Sequence, residues 1–318
     1  MGINKNSNIY IAGHTGMVGS ALVRCFSKEG YTNLLLRTHQ ELDLLNQQAV
    51  FDFLKSEKPD FVIIAAAKVG GIMANDTFRA QFIYENLAIE SNLIHGAHLS
   101  DIDNLLFLGS SCIYPKNCPQ PMKEEYLLTG ELEPTNEPYA ISKIAGIKMC
   151  ESYYHQFGRN YFSVMPTNLY GPNDNYNLET SHVLPALIRK FHEAKINDRN
   201  SVTVWGTGKP CREFLYVDDL AEACIFVMKN IDANNLYPNE ITHLNIGTGD
   251  DISIADLTLM IKEISGFKGN IKFESEKPDG VSKKLLNTKR INYLGWEYST
   301  NLEIGLQLTY DWYLENNT

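Results

Sequence analysis

The chain has 318 residues, of which 44% are hydrophobic and 21% charged, and its formal net charge at pH 7 is −10. This composition is typical of a soluble globular protein with one large domain or two ordinary ones, and the negative charge argues against a nucleic-acid backbone as partner. Neither a run of apolar residues long enough to span a membrane nor a signal peptide is recognisable, so we expect a cytoplasmic protein. The six cysteines lack CxxC spacing, which predicts neither a zinc site nor a disulfide framework.

The first predicted element is a short apolar strand over 8–12, followed at once by a glycine-rich turn and a helical pattern. Gly13, Gly16 and Gly19 have GxxGxxG spacing. Strand, glycine turn and helix in this order form the context that a dinucleotide-binding site needs. Gly13 would permit a tight turn, Gly16 would let the backbone approach a pyrophosphate, and Gly19 would allow close packing of helix on strand. The alternative is a glycine turn that binds no ligand.

A second strand, predicted over 33–36, ends at Arg37. An acidic residue at the end of this strand binds the ribose of NAD, whereas a basic residue suits the 2′-phosphate of NADP. Arg37 therefore favours NADPH over NADH. Asp43 could reach the adenine end of the cofactor; equally, it could cap the helix that begins near Asn46.

Two further apolar strands are predicted over 60–66 and 104–109, with a helix over 77–99 between them. Ligands bind open α/β sheets just beyond the carboxyl ends of such strands, where Ser110 and Cys112 follow the second one. The hydroxyl of Ser110 could hold a carbonyl oxygen. Cys112 could face the same pocket, with a thiol pKa lowered by a nearby lysine, or it could be a small packing residue.

The next predicted helix, over 138–157, carries Tyr139 and Lys143 one turn apart on a single face. An ammonium near a phenol favours the phenolate, so this pairing predicts a tyrosine pKa lowered towards the working pH. The spacing YxxxK also occurs by chance on exposed helix faces. Its significance therefore depends on the neighbouring motifs.

A strand over 161–165 completes six alternations of strand and helix within about 170 residues, which predict an α/β fold with a doubly wound parallel Rossmann sheet in residues 1–167. Beyond it the sequence becomes rich in Pro, Gly and Asn, and His182 precedes a predicted helix over 185–193. We predict a second, smaller mixed α/β domain for substrate binding, formed mainly by residues 168–318. Segments near 213–247 are expected to return to the first domain.

Seven motifs occur in the order seen in extended short-chain dehydrogenases: GHTGMVG, GSSCIYP, EPYAISK, SVMPTNLYGP, SHV, VWGTG and REFLYVDDL. As a set they resemble the fucose synthase branch of that family, and the resemblance covers nearly the whole chain. It implies an NADP-dependent oxidoreductase with epimerase activity. The implied reaction converts GDP-4-keto-6-deoxy-D-mannose to GDP-L-fucose, by epimerisation at C3 and C5 and hydride reduction at C4.

The resemblance also implies a role for each site residue. Cys112 would be the base that removes protons next to the ketone, and His182 the acid that reprotonates the opposite face. Ser110 and Tyr139 would hold the ketone oxygen, and Tyr139 would then give it a proton. Lys143 would bind the nicotinamide ribose and tune the tyrosine.

Further contacts complete the expected site. The expected NADP(H)-binding residues are Gly13, Thr15, Gly16, Met17, Val18, Gly19, Arg37, Asp43, Ala66, Lys143, Pro166, Asn168 and His182, and those expected to bind the GDP-sugar are Val183, Leu187, Trp205, Arg212 and Lys284. A guanidinium pairs with phosphate oxygens in a fork, which favours Arg212 as the diphosphate partner. Alternatively, Arg212 pairs with Asp218, Lys284 is merely solvated, and the two aliphatic residues belong to the core.

Two other functions remain open at this level. One is a C4-reductase of GDP-4-keto sugars that acts without epimerisation, on a heptose or another surface-polysaccharide sugar. The other is a non-catalytic nucleotide-binding protein, for which an intact set of Ser110, Tyr139 and Lys143 would be unnecessary. The resemblance also implies a homodimer that uses the helix bearing YxxxK.

Overall fold

The computed structural model describes residues 2–277 and 279–317. The first part of the chain alternates strands with helices, as the apolar patterns predict. In chain order its elements are β1 (Ile9–Ala12), α1 (Met17–Lys28), β2 (Leu34–Leu35), α2 (Gln47–Glu57), β3 (Phe61–Ile64), α3 (Ile72–Thr77), α4 (Arg79–Leu99), β4 (Asn104–Leu108), α5 (Glu137–Phe157) and β5 (Asn160–Pro166).

The later part has shorter strands and several peripheral helices. Its elements are β6 (Asn168–Tyr170), α6 (Val183–Ile196), β7 (Ser201–Trp205), β8 (Cys211–Arg212), β9 (Phe214–Tyr216), α7 (Val217–Asn230), α8 (Ala233–Leu236), β10 (Leu244–Ile246), β11 (Ile252–Ser253), α9 (Ile254–Ser265), β12 (Asn270–Glu274), β13 (Lys283–Lys284), α10 (Lys289–Tyr293) and α11 (Leu302–Asn317). Short 3₁₀ helices lie over Ser111–Ile113, Glu124–Tyr126 and Tyr237–Asn239.

A six-stranded parallel sheet forms the centre, in the order β10-β5-β4-β3-β1-β2. This confirms the predicted doubly wound fold. The prediction of six alternations before residue 170 is wrong for this sheet, because residues 1–167 supply only five of its strands. The sixth, β10, lies within the segment near 213–247 that was expected to return to the first domain, and it pairs with β5 at the edge of the sheet.

Helices cover both faces of this sheet, since its strands are apolar on both sides. Helices α1 and α7 share one buried cluster with the sheet. On the other face, α2, α4 and α5 share a second. The strand order reverses between β1 and β3, so a crevice opens beyond their carboxyl ends, where α/β sheets bind ligands.

A third apolar cluster, formed largely by α6, α9 and α11, is the core of the smaller part of the molecule. Small sheets flank it: β11-β8-β13, β12-β7 and β6-β9. The pairing of β13 with β8 brings Lys284 into register with Arg212. Across residues 2–277 and 279–317, no helix combines the length and apolar character that a membrane crossing requires.

Candidate active site

The glycine turn after β1 is built for close backbone contact. Gly13 has φ +83°. A Cβ there would lie 2.7 Å from the backbone of Ala66, a residue that follows the end of β3. A Cβ on Gly19 would lie 2.1 Å from the carbonyl oxygen of Gly13. At Gly16 the nearest atom to such a Cβ is 3.6 Å away, so this position borders open space. The tight turn at Gly13 and the close packing at Gly19 are as expected, whereas approach of a pyrophosphate to Gly16 stays a prediction.

Helix α1 begins directly after Gly16, which has no side chain to cap it. The first N–H groups of the helix are therefore free to bind an anion such as a pyrophosphate. Thr15 lies within the turn, and Met17 and Val18 are the first two residues of the helix. The predicted residues thus surround one helix N-terminus, and a dinucleotide fits the cradle that they form.

The residues expected at the adenine end have other partners. Arg37 forms an ion pair with Glu57, with 2.7 Å between Nη2 and Oε1, and lies over the Phe53 ring. Asp43 accepts a hydrogen bond from the N–H of Leu45 at 3.0 Å. It is not the helix cap, because the side chain of Asn46 accepts the Ala49 N–H at the start of α2.

Ser110 and Cys112 lie just beyond β4, as expected from the strand pattern. Ser110 caps the short 3₁₀ helix Ser111–Ile113, and its Oγ accepts the N–H of Cys112 at 3.4 Å. The same hydroxyl lies close enough to the Cys112 thiol and the Tyr139 phenol to lower the pKa of each by hydrogen bonding. Hydroxyl, thiol and phenol therefore converge on one region.

The directions of the pKa shifts correct two predictions. Burial raises the pKa of Tyr139 well above its ordinary value, and the charges of Cys112 and Glu90 act in the same direction. Burial likewise raises the pKa of Cys112, against the opposing effects of Ser110 and two lysines. Loss of hydration disfavours the charged form of each group, and this effect exceeds the opposing ones. Tyr139 is consequently a protonated donor, and Cys112 is a strong base once ionised.

Lys143 is almost completely buried beneath Tyr139. Its Nζ lies 5.8 Å from the centre of the Tyr139 ring, 4.7 Å from that of Phe107 and 2.9 Å from Oε1 of Glu90. Glu90 was not predicted as part of the site, although its position in the sequence indicates a buried charge. Glu90 lies on the stripe of α4 that also contains Phe82, Leu93 and Ala97, and a charged residue on such a stripe calls for a partner.

His182 is the residue directly before α6. A loop after β3 positions the segment before it, because the N–H of Gly71 donates to the carbonyl oxygen of Thr180 at 2.8 Å. His182 is exposed, yet desolvation by the surrounding protein lowers the pKa of its imidazole, and the charge of Lys284 lowers it further. His182 is therefore a readily deprotonated imidazole at neutral pH.

The charge of Lys284 acts on both His182 and Cys112. Lys284 lines a small pocket together with Cys112 and Glu133. Burial lowers the pKa of Lys284 and the nearby Arg212 guanidinium lowers it too, whereas Cys112 and Glu133 oppose the shift. Two cations side by side beneath a pocket can bind a polyanion.

Arg212 does not pair with Asp218, which instead forms an ion pair with Arg24. Its Nη1 donates to the carbonyl oxygen of Cys211 at 2.7 Å, and no ion pair within 4 Å involves it in the part of the chain that is described. Its guanidinium is therefore available to a ligand. The alternative prediction, in which Arg212 forms a salt bridge with Asp218, is wrong.

The apolar contacts expected for the sugar nucleotide divide into two groups. Val183 and Trp205 are exposed, the latter by 55%, with the ammonium of Lys190 5.3 Å from the indole ring centre. Leu187 is only 2% exposed and packs in the core of the smaller part. Contact of Leu187 with the substrate stays a prediction.

A second buried carboxylate, Glu213, was also missed. Its Oε1 accepts the N–H of Gly249 and its Oε2 that of Leu286, both at 2.8 Å. Its carbonyl oxygen accepts the side-chain amide of Asn168 at 2.7 Å, just past Pro166 at the end of β5. Glu213 thus ties the strand of Arg212 to the central sheet. These contacts are distant in sequence, so no local pattern announces them.

A doubly wound sheet with a glycine turn and a Ser-Tyr-Lys set defines a dinucleotide-dependent enzyme of short-chain dehydrogenase type. Residues 9–247 match the NAD dependent epimerase/dehydratase family. The chain belongs to this family.

Similar proteins extend over the whole chain. It is 56% identical over 315 residues to a GDP-L-fucose synthase of Escherichia coli strain K12, with 98% of each chain covered. A solved GDP-6-OMe-4-keto-L-xylo-heptose reductase from C. jejuni has 42% identity, a TM-score of 0.95 and full coverage of both chains. A GDP-mannoheptose C4 reductase from Campylobacter jejuni, solved with NADP bound, has 43% identity and a TM-score of 0.89, covering 98% of this chain and 100% of the other.

Proposed function

We propose that this protein is an NADPH-dependent epimerase and reductase that converts GDP-4-keto-6-deoxy-D-mannose to GDP-L-fucose. The observation that carries the proposal is the convergence of Ser110, Cys112 and Tyr139, whose hydroxyl, thiol and phenol lie close together. Reduction alone needs a hydroxyl and a phenol, whereas a thiol beside them adds a base for epimerisation. The 56% identity to a GDP-L-fucose synthase over nearly the full chain supports the same reaction.

Epimerisation uses the acidity of the hydrogens at C3 and C5, both of which lie next to the C4 ketone. The Cys112 thiolate removes each proton, and the electron pair of the broken C–H bond moves into an enolate. Ser110 and Tyr139 donate hydrogen bonds to the enolate oxygen and stabilise its charge. His182 delivers a proton to the opposite face of the carbon, which inverts its configuration.

Reduction follows at C4 of the epimerised sugar. NADPH, when bound, supplies the hydride. Tyr139 gives its phenolic proton to the C4 oxygen as the carbonyl becomes an alcohol, and its raised pKa keeps that proton available. Lys143 binds the cofactor ribose and compensates the phenolate that is left.

The GDP moiety requires cations despite the net charge of −10. Arg212 and Lys284 lie opposite each other on paired strands, next to the pocket of Cys112. A guanidinium and an ammonium in this position suit a diphosphate. Trp205 and Val183 add exposed apolar surface for the guanosine and the sugar.

Incubation with GDP-4-keto-6-deoxymannose in D₂O without cofactor tests the proposal. Deuterium should enter C3 and C5, and later addition of NADPH should yield GDP-L-fucose. Cys112→Ser should lose the exchange, whereas Cys118→Ser, a matched change at a nearby cysteine, should retain it. Absence of exchange in the unmodified protein would refute the epimerase.

A second candidate is a C4-reductase of GDP-4-keto heptoses, which the 0.95 TM-score to a heptose reductase favours. The same experiment separates the two. Reduction of a GDP-4-keto heptose without deuterium at C3 or C5 would establish this candidate. Comparing turnover of the hexose and heptose substrates then assigns the sugar.

We also propose a cytoplasmic homodimer. Helices α4 and α5 lie side by side and present exposed apolar side chains, namely Tyr84, Leu99, Ile141 and Phe157. Pairing these two helices with those of a second copy would bury this surface. Light scattering should then report about twice the 36.0 kDa mass of the chain, and a monomer would refute the dimer.

A further inference from the structure

Glu90 and Lys143 form an ion pair in the interior of the protein. Their side chains are only 1% and 2% exposed, and 2.9 Å separates Oε1 from Nζ. Lys143 is the cation paired with this carboxylate in the part of the chain that is described. Neither carboxylate oxygen accepts a well-aligned hydrogen bond there. The carboxylate therefore depends on the charge of Lys143.

This arrangement is a poor choice for stability alone. Removing two charges from water costs free energy, which their attraction repays only when further hydrogen bonds complete the pair. Such bonds are missing here, and apart from Asn86 the buried stripe around Glu90 on α4 is apolar, with Phe82, Leu93 and Ala97. An aliphatic residue at position 90 would suit the packing better. The carboxylate therefore points to a task in the adjoining site.

We propose that Glu90 is a positioning residue for the reduction step, holding the ammonium of Lys143 beneath Tyr139. The inference rests on the proposed reductase function. Without the carboxylate, the four-carbon side chain of Lys143 would be free to leave its position between Phe107 and Tyr139, where the ring centres lie 4.7 and 5.8 Å from Nζ.

Other titratable groups face this pair from several elements. On α5 these are Tyr139 and Cys150, whose pKa values the charge of Glu90 raises. Cys112, which lies beyond the end of β4, raises the pKa of Tyr139. The charge of Lys143 in turn lowers the pKa of Cys112. Lys284 on β13 acts on Cys112. Among the groups that shift the pKa of Tyr139, Glu90 is thus the one buried carboxylate that the structure describes.

The sign of the expected effect follows from these contacts. Reduction needs a protonated Tyr139, so activity falls at high pH when the phenol loses its proton. Replacing Glu90 by Gln removes a negative charge that raises the pKa of this phenol. The phenol then loses its proton more readily. The alkaline limb of the pH profile should move to lower pH.

The test is the pH dependence of kcat/KM for C4 reduction with NADPH, measured for the unmodified protein and for Glu90→Gln. We expect the alkaline limb to move down by about one pH unit or more, the usual size of a shift caused by a nearby charge. Glu124→Gln is the matched control, since Glu124 is also a buried carboxylate in an ion pair, 3.0 Å from Arg290. The alkaline limb of the Glu124→Gln variant should stay at the pH of the unmodified protein.

Each outcome has a defined meaning. An unmoved limb in a folded Glu90→Gln variant, even with a lower kcat, would reduce Glu90 to a structural role and overturn the inference. Should that variant not fold, Glu90→Asp carries the test: it keeps the charge but draws it back, so a smaller downward shift supports the inference and no shift overturns it. If the unmodified protein reduces no GDP-4-keto sugar, the proposed function itself fails.

Discussion

The guanidinium of Arg37 lies 2.7 Å from the carboxylate of Glu57, at the far end of α2. The residue with the right charge for a 2′-phosphate is thus held by an internal partner. Cofactor preference is consequently a competition between a phosphate and a carboxylate for one cation.

We predict that Arg37→Ala lowers the preference for NADPH over NADH by about ten- to a hundredfold, since a hydrogen bond to a charged group contributes about 1.5–3 kcal/mol. Glu57→Gln should raise the preference by releasing the guanidinium. The ratio of kcat/KM for the two cofactors measures both effects. Lys55→Ala, at an exposed cation on the same helix, is the control. An unchanged ratio in Arg37→Ala would show that Arg37 pairs only with Glu57 and does not bind the 2′-phosphate.

The glycine turn predicts different outcomes for two similar substitutions. Gly19→Ala places a methyl group 2.1 Å from the Gly13 carbonyl oxygen, so the variant should lose about 1–3 kcal/mol of stability from overpacking. Gly16→Ala has no such clash and should unfold at the temperature of the unmodified protein, yet bind NADPH more weakly because the methyl group enters the cofactor space. Thermal unfolding and fluorescence titration distinguish them. Equal NADPH affinity in Gly16→Ala would place the pyrophosphate elsewhere.

Tyr139→Phe should remove the proton donor without changing the shape of the site. Loss of a general acid costs about 10²–10⁴-fold in rate, so single-turnover reduction should fall by that factor. NADPH binding should be nearly unchanged, because the phenol faces the thiol and hydroxyl. Turnover at the normal rate would assign the proton to another group.

The opposite pKa shifts of Cys112 and His182 predict an unusual pH profile for epimerisation. The thiol pKa lies above its ordinary value and that of the imidazole below its own. Between the two pKa values the thiolate fraction rises tenfold per pH unit while the imidazolium fraction falls tenfold. Their product is constant, so epimerisation should have a flat maximum from slightly acidic to alkaline pH.

In the His182→Asn variant, the rate of epimerisation depends on pH only through the thiolate fraction of Cys112. The rate at a given pH should fall, and it should now rise about tenfold per pH unit through the neutral range. NMR detection of exchange at C3 and C5 in D₂O measures the profile. A profile that stays flat in this variant would exclude the imidazole as the acid.

Glu213→Gln should destabilise the protein and loosen the substrate site together. The amide cannot accept at both positions, so either Gly249 or Leu286 loses its buried acceptor, at about 1–3 kcal/mol. Because Leu286 follows β13, Lys284 should shift and the KM for the GDP-sugar should rise. Urea unfolding and steady-state kinetics check the two effects. A rise in KM without loss of stability would contradict this account.

Much of the site is determined by short-range sequence. The glycine spacing places Gly16 at the start of α1, and the spacing of Tyr139 and Lys143 places both on one face of α5, because one helical turn spans nearly four residues. The apolar strand before Ser110 likewise predicts that it leaves the sheet at the ligand-binding edge. These relationships follow from local geometry and need no knowledge of distant segments.

Other features depend on which distant segments pack together. The pKa values of Tyr139 and Cys112, which lysines were predicted to lower, are raised by burial, whose extent no local pattern specifies. The Glu90 carboxylate reaches Lys143 only because α4 packs on α5, and Arg212 meets Lys284 only because β8 pairs with β13. The sequence by itself therefore determined the fold and the reactive groups. The tertiary structure decided their charges and partners, because desolvation and long-range contact arise only when the chain is assembled.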